Sequence, residues 1–381
     1  MKFATFYYPG FYSCPIRNAA AGTTINEWAA LRASPNSVFV QTPPIVPAFG
    51  YADSSDPRVL AEEASLAVRH GIDAFIFNHY SDGRCEELGV PISTFAGLDT
   101  KLSFALNLCC HMPKRKMPFG LQDANVAPLV QLTEAAFATL VHDLAKRFMG
   151  HARYLRHEGR AVVTMYHVNA LVLLYGPSGL KARLEMLRSI VRGFGHEAYI
   201  VGLYSVVGGW GRHLPGIDEL PFDAFSCYIA LPDFESSEPV QDFEAAAQRS
   251  LVSMQVRPQG GAKIVACIGA GWNATARGIP GYNPDLHGLA FPYYPIVVGD
   301  APAAFENYLR RAAQSALDLP GFERNLLFLG PWNEWTEGCY LLPDVRHGLG
   351  KLESIQRVKS ALVAASAGSN SDCEEPSSRK V

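Results

Sequence analysis

The chain has 381 residues, of which 48% are hydrophobic and 18% charged, with a formal net charge of −3. That supply of apolar side chains is ample for a large buried core and excludes general disorder. Charges of both signs are interspersed, leaving no broad basic face for a phosphate backbone, so no nucleic acid partner is expected, and the one basic cluster, Lys114-Arg115-Lys116, reads as a solvated loop.

At the start, residues 3–8 read as a strand. The apolar run there is too short for a signal peptide and meets Pro9-Gly10 at once. Similar short runs, rich in β-branched and aromatic residues, follow at 73–78, 102–109, 161–166, 198–204, 223–228, 263–268 and 325–330. Helical periodicity occupies 57–69, 132–157, 179–194, 241–255 and 302–318. Asp56 is placed to cap the first of these with Pro57 in its first turn, and Asp300 to open the last, which closes before Pro320. Strands alternating with helices imply parallel pairing and right-handed crossovers. Eight such units predict an α/β fold, a single (β/α)8 TIM barrel over 1–364, with 365–381 as a disordered, aperiodic tail. A doubly wound sheet is the competing architecture. Its glycine-rich phosphate turn is missing after the first strand, and Gly269-Ala270-Gly271 lacks a third glycine. No run reaches the length of a membrane span. The eight cysteines form no C-x-x-C pair, and Cys109, Cys227 and Cys267 fall in expected strands, which predicts reduced thiols and a cytoplasmic location.

In a barrel of this kind, functional groups sit where strands end. Tyr7, Tyr8 and Phe11 follow the first strand; Asn78, His79, Tyr80 and Asp82 the second; Asn107 and His111 the third. The fourth delivers Tyr166 and His167, the fifth Tyr204 and Ser205, the seventh Trp272, Asn273 and Arg277, and the eighth Trp332, Asn333, Glu334, Trp335 and Glu337. Sugar rings offer apolar C–H faces edged with hydroxyls, so a pocket for them needs aromatic platforms beside amides and carboxylates. Glycoside cleavage further needs one carboxyl to protonate the leaving oxygen and a second as base or nucleophile. Glu334 and Glu337, at i and i+3 in a turn, can bring their Cβ atoms to about 5–6 Å. Flanking tryptophans and mutual repulsion are expected to raise one pKa. These two are the predicted catalytic residues.

The segment from Trp332-Asn333-Glu334-Trp335-Thr336-Glu337-Gly338 to Pro343-Asp344 resembles the W-N-E-W-x-E-G-x-x-L-x-P-D signature of the glycoside hydrolase family 99-like group. That group is often labelled WbsX-type and is related to endo-α-mannosidases and endo-α-mannanases. Tyr7-Tyr8-Pro9, Asn26-Glu27-Trp28, Gly71-Ile72-Asp73-Ala74-Phe75 through His79-Tyr80, Arg153-Tyr154-Leu155 with Gly159-Arg160, and Gly271 to Arg277 match in order. The resemblance spans about residues 1–360. It implies a (β/α)8 barrel and a retaining mechanism without metal or cofactor that passes through a 1,2-anhydro sugar. Glu334 would assist deprotonation of the substrate's 2-hydroxyl and Glu337 would act as acid, then base. Tyr7, Tyr8, Glu27, His79, Tyr80, Asn107, Tyr166, Trp272, Asn273, Arg277, Trp332, Asn333 and Trp335 are the expected carbohydrate contacts. Asn273-Ala274 stands where related sequences read D-N, and residues 107–112 lack the usual tryptophan, so sugar identity and linkage stay open, as does oligomeric state.

Two other functions compete. A glycosyltransferase fits the association of WbsX-type proteins with polysaccharide assembly, although the chain has no D-x-D motif and no phosphate-cradling loop. A carbohydrate-binding protein without catalysis would keep the fold alone. An esterase or metallohydrolase lacks its G-x-S-x-G or H-E-x-x-H signature.

Overall fold

The computed structural model describes residues 1–22, 24–34, 44–81, 85–109, 130–204, 217–234, 236–255, 261–278 and 294–371. The expected positions Asp82, His111, Lys114 to Lys116 and Ser205 lie outside the described residues. The barrel strands are β1 (Lys2–Tyr7), β2 (Ala74–Ser81), β3 (Ser103–Leu108), β4 (Arg160–Tyr166), β5 (Ala198–Tyr204), β6 (Ala224–Cys227), β7 (Lys263–Ile268) and β8 (Phe322–Leu329). They pair in parallel in the order β1, β8, β7, β6, β5, β4, β3, β2, and β1 also pairs with β2, closing the ring. Thr5 thus lies opposite both Leu329 and Phe75. The architecture is the (β/α)8 barrel that the strand and helix alternation implies. β5 illustrates why the strands read as continuous apolar runs: all seven of its residues are buried, since side chains on one face fill the barrel and those on the other meet the helices.

Helix α1 (Pro57–Arg69) begins as expected: the Asp56 carboxylate accepts the Arg58 amide at 2.8 Å, with Pro57 in the first turn. Its inner face is Leu60, Ala64, Leu66 and Ala67. The helix expected over 132–157 is shorter. α2 (Glu134–Leu144) passes into a π turn, Ala145–Met149, and the chain leaves at Gly150. Arg153 then donates to the carbonyls of Phe95, Ala96, Leu98 and Leu102, cross-bracing the chain instead of continuing the helix. α3 (Val168–Gly193) starts earlier than expected and is two helices merged across Gly176, at φ 66° and ψ 165°, before Pro177. α4 (Phe243–Ser253) and α5 (Pro302–Asp318) match their patterns. Ala301, not Asp300, caps α5; the Asp300 carboxylate is spent on Arg346 and Lys351. α6 (Gly350–Ser371) packs against α5 and runs past residue 364, while residues 372–381 lie outside the described residues.

Six cysteines among the described residues are free thiols. No helix of the described residues is long and apolar enough to cross a membrane. At the base of the barrel, Glu323 contacts Lys263 at 3.0 Å and His157 at 3.1 Å. Burial would raise its pKa, but the adjacent His157 ring and the hydrogen bond from Lys263 hold it down to about 2. His157, Glu158 and Glu323 are the one trio with metal-binding spacing among the described residues. There the Lys263 ammonium already supplies the cation.

Candidate active site

The mouth of the barrel is closed by a seam between its first and last strands. Asn333 accepts the Tyr8 amide through Oδ1 at 2.8 Å and donates through Nδ2 to the Tyr8 carbonyl at 2.8 Å. Trp332 adds a backbone bond to Phe6 at 2.6 Å. The following residues turn sharply: Asn333–Glu334 pairs antiparallel with Cys339–Tyr340 around a 3-10 turn, Trp335–Glu337. Gly338 ends that turn at φ 61°, and a Cβ there would lie 2.5 Å from the Asn273 nitrogen. The Asn273 amide donates to the Glu337 carbonyl at 2.8 Å, docking the loop after β7 onto the loop after β8. This docking carries Arg277, on the 3-10 turn Thr275–Arg277, to the two glutamates.

Arg277 bridges the pair. Its Nη2 lies 2.5 Å from Glu334 Oε1 and its Nε 3.1 Å from Glu337 Oε1. Glu334 is 3% exposed, and Tyr228 donates to its Oε2 at 2.9 Å. Behind Tyr228 runs a polar relay across the barrel interior. Asn78 Nδ2 donates to the Tyr228 oxygen at 2.7 Å, Asn107 Nδ2 to Asn78 Oδ1 at 2.9 Å, and Thr164 to Asn107 Oδ1 at 2.8 Å. Burial pushes the Glu334 pKa up to about 8, and the Glu337 charge adds to this against the opposing pull of Arg277. The pair can therefore hold one proton across neutral pH, giving a proton donor and a carboxylate one turn apart.

Glu27, the first residue of the short helix Glu27–Arg32, is buried on the far side of Arg277. It accepts from Tyr8 at 2.6 Å, Thr336 at 2.9 Å and Arg17 at 3.2 Å, with Arg277 at 4.0 Å. Burial would raise its pKa, but Arg277 and Arg17, with the hydrogen bonds from Tyr8 and Thr336, together lower it, so it stays ionised. Arg277 also lies over the Tyr8 ring at 5.5 Å.

The structure therefore brings Tyr8, Glu27, Arg277, Asn333, Glu334 and Glu337 together. Tyr80 is half-buried within electrostatic reach of Glu334, and Tyr166 packs edge-on against Tyr228 at 5.1 Å. Asn107 reaches the pair through the relay. Trp335 stacks on Tyr340 at 4.1 Å, beside the pair, and Asn273 supports Glu337 through its backbone. Tyr7, His79 and Trp332 are not brought to the pair. Strand alternation turns them outward, where Tyr7 packs on Phe75 and Phe77, Trp332 donates to Glu63 at 3.2 Å, and His79 pairs with Glu86 at 2.8 Å. Trp272 packs against Phe234 at 5.4 Å. Sequence reasoning missed Tyr228, Arg17 and Thr336. Tyr228 directly follows β6, a position that the strand-end rule would have selected; Arg17 carries no local signal.

Two acidic groups, an arginine between them and several tyrosines thus meet at the C-terminal face of a (β/α)8 barrel. The family described as Glycosyltransferase WbsX matches residues 3–205 and 228–355, and the chain belongs to that family. It is 25% identical over 372 residues to the uncharacterized protein WxcX of Xanthomonas campestris pv. campestris strain ATCC 33913, covering 92% of this chain and 48% of that protein. WxcX of strain B100 matches with the same identity and coverage. The chain thus spans about half the length of the curated relatives it matches. Among solved structures it is similar to a GH99 endo-alpha-mannosidase of Bacteroides thetaiotaomicron in complex with bis-tris propane, with TM-score 0.57 and 13% identity, covering 96% of this chain and 98% of that one. A glycoside hydrolase-like protein gives TM-score 0.58 at 16% identity, covering 94% of this chain and 93% of its own. At such identities the likeness is one of fold.

Proposed function

We propose that this chain cleaves glycosidic bonds in an oligosaccharide or polysaccharide, with Glu334 and Glu337 as its acid and base. The observation that carries the reading is the shared grip of Arg277 on both carboxyls inside a mouth lined by tyrosines. In the first step, Glu334 takes the proton of the sugar's 2-hydroxyl as O2 bonds to C1, while the C1–O leaving bond breaks and Glu337 protonates the departing oxygen. In the second, Glu337 takes a proton from water as the water oxygen bonds to C1, the C1–O2 bond breaks, and O2 regains its proton from Glu334. The first step starts with the shared proton on Glu337. The raised proton affinity of Glu334 suits it to the harder task of deprotonating a hydroxyl.

An α-mannoside-containing glycan is the substrate class we favour, because the GH99 enzymes that share the fold are endo-alpha-mannosidases. The family description favours a second reading, in which a glycan hydroxyl replaces water in the second step and the glycosyl group is transferred. A cytoplasmic site of action belongs to the same proposal. Release of reducing ends from a panel of α-mannans and bacterial surface polysaccharides, with and without acceptor glycans, tests both readings. Turnover should collapse in Glu334→Gln and Glu337→Gln; turnover that survives either change removes the pair from the chemistry. Wild-type inactivity with glycan binding intact would leave a binding protein.

A further inference from the structure

A second cavity, of about 370 Å³, lies outside the catalytic mouth, between α1 and the loops that follow β1 and β8. Phe11, Trp28, Trp335, Leu66 and Leu342 form its apolar walls, and Glu63 of α1 lines it as well. Neither Glu334 nor Glu337 lines it. Its polar groups are almost all spent on the protein. Ser54 donates to the Pro9 carbonyl at 3.5 Å, Trp28 Nε1 to the Ala52 carbonyl at 2.9 Å, and the Asn333 amide is taken up by Tyr8. The Glu63 carboxyl accepts one bond, from Trp332 Nε1 at 3.2 Å, and so keeps accepting capacity. The neighbouring Tyr7 hydroxyl is fully buried and has no partner that meets hydrogen-bond geometry. Glu62 and Arg69 are exposed residues of the lining, so with Glu63 ionised two acids face one base.

A sugar would bury several hydroxyls against these walls unpaired, at about 1–3 kcal/mol each. A ligand with an apolar body and one cationic donor leaves nothing unpaired and gains from the aromatic faces. We propose that this cavity is a binding site for a small organic ammonium with an apolar body, held at its head by Glu63. Burial, the first cause, pushes the Glu63 pKa up to about 7, against the pull of the adjacent Tyr7 hydroxyl and the Trp332 indole, so a cation arriving there meets a carboxyl that ionises readily in its company. The site is independent of the reaction proposed above.

Calorimetric titration with phenethylammonium chloride, against the near-isosteric 2-phenylethanol, tests it. The ammonium should bind about tenfold or more tightly than the alcohol, the scale of one charge-assisted hydrogen bond. Glu63→Gln should cost the ammonium a similar factor, Val59→Trp should abolish its binding by filling the cavity from α1, and Glu337→Gln should leave it unchanged. Absence of ammonium binding, equal affinity for the alcohol, indifference to Glu63→Gln, persistence in Val59→Trp, or loss in Glu337→Gln would each overturn the assignment, the last by moving the ammonium to the catalytic pair.

Discussion

Tyr228 and Glu334 are joined by a 2.9 Å hydrogen bond in which the phenol is the donor, because the Asn78 amide already donates to the same phenol oxygen at 2.7 Å. The relay from Thr164 through Asn107 and Asn78 thus orients one proton at the carboxylate. Tyr228→Phe keeps the ring contacts with Phe6 and Tyr166 but removes that proton. Glycan turnover should fall by about 10- to 100-fold, the loss of one charge-assisted hydrogen bond. The melting temperature should drop only by the few degrees that an unsatisfied Asn78 costs. Steady-state kinetics and thermal melts check both.

Arg277→Lys keeps a positive charge while losing the fork that spans two carboxyls. The pair then repels more strongly and holds its proton to higher pH. Turnover should decline by about 100-fold or more, and the alkaline limb of the pH–rate profile should shift upward. An unchanged limb with reduced turnover would mean that Arg277 acts only on the bound glycan.

The wild-type profile itself is expected to fall above about pH 8, where the Glu334–Glu337 pair loses its shared proton. Stability carries the same signature. Because the folded pKa of Glu334 is raised above its ordinary carboxylate value of 4.5, the native state binds more protons than the unfolded chain between about pH 4.5 and 8. This contribution is fully present below 4.5 and is lost as pH rises to 8. Urea midpoints measured across that window should decline less steeply in Glu334→Gln than in the wild type, a comparison that cancels the contribution of Glu63.

Glu27→Gln leaves Arg17 and Arg277 facing a neutral group in a buried site. The expected cost is about 3–5 kcal/mol, that of breaking a buried ion pair from one side. Equilibrium urea unfolding measures it, and a loss under about 1 kcal/mol would show that Arg17 finds solvent instead.

The barrel was readable because parallel strands covered on both faces appear as unbroken apolar runs, and β5 and β7 fall on their expected residues, 198–204 and 263–268. Glu334 and Glu337 were readable from chemistry, being two acids one turn apart after the last strand. Less visible were features set by distant partners. Arg153 ends a helix by seizing carbonyls some 50 residues away in sequence, and Asp300 abandons the helix cap for Lys351. Tyr7 and Trp332 read as mouth residues by position, yet each immediately precedes a residue that does face the mouth, and alternation sends the neighbour the other way. The Gly176–Pro177 break concealed the first turns of α3.

The Tyr8–Asn333 seam joins residues 325 positions apart. During synthesis at roughly 5–20 residues per second, Tyr8 emerges from the ribosome on the order of tens of seconds before the amide that will hold it. Throughout that interval β1 lacks β8 as a neighbour, and the growing sheet presents open edges that invite wrong pairing. The acid pair lies just beyond the strand that removes those edges. Closing of the ring and arming of the site are therefore one event, and a chain that stops before β8 has neither.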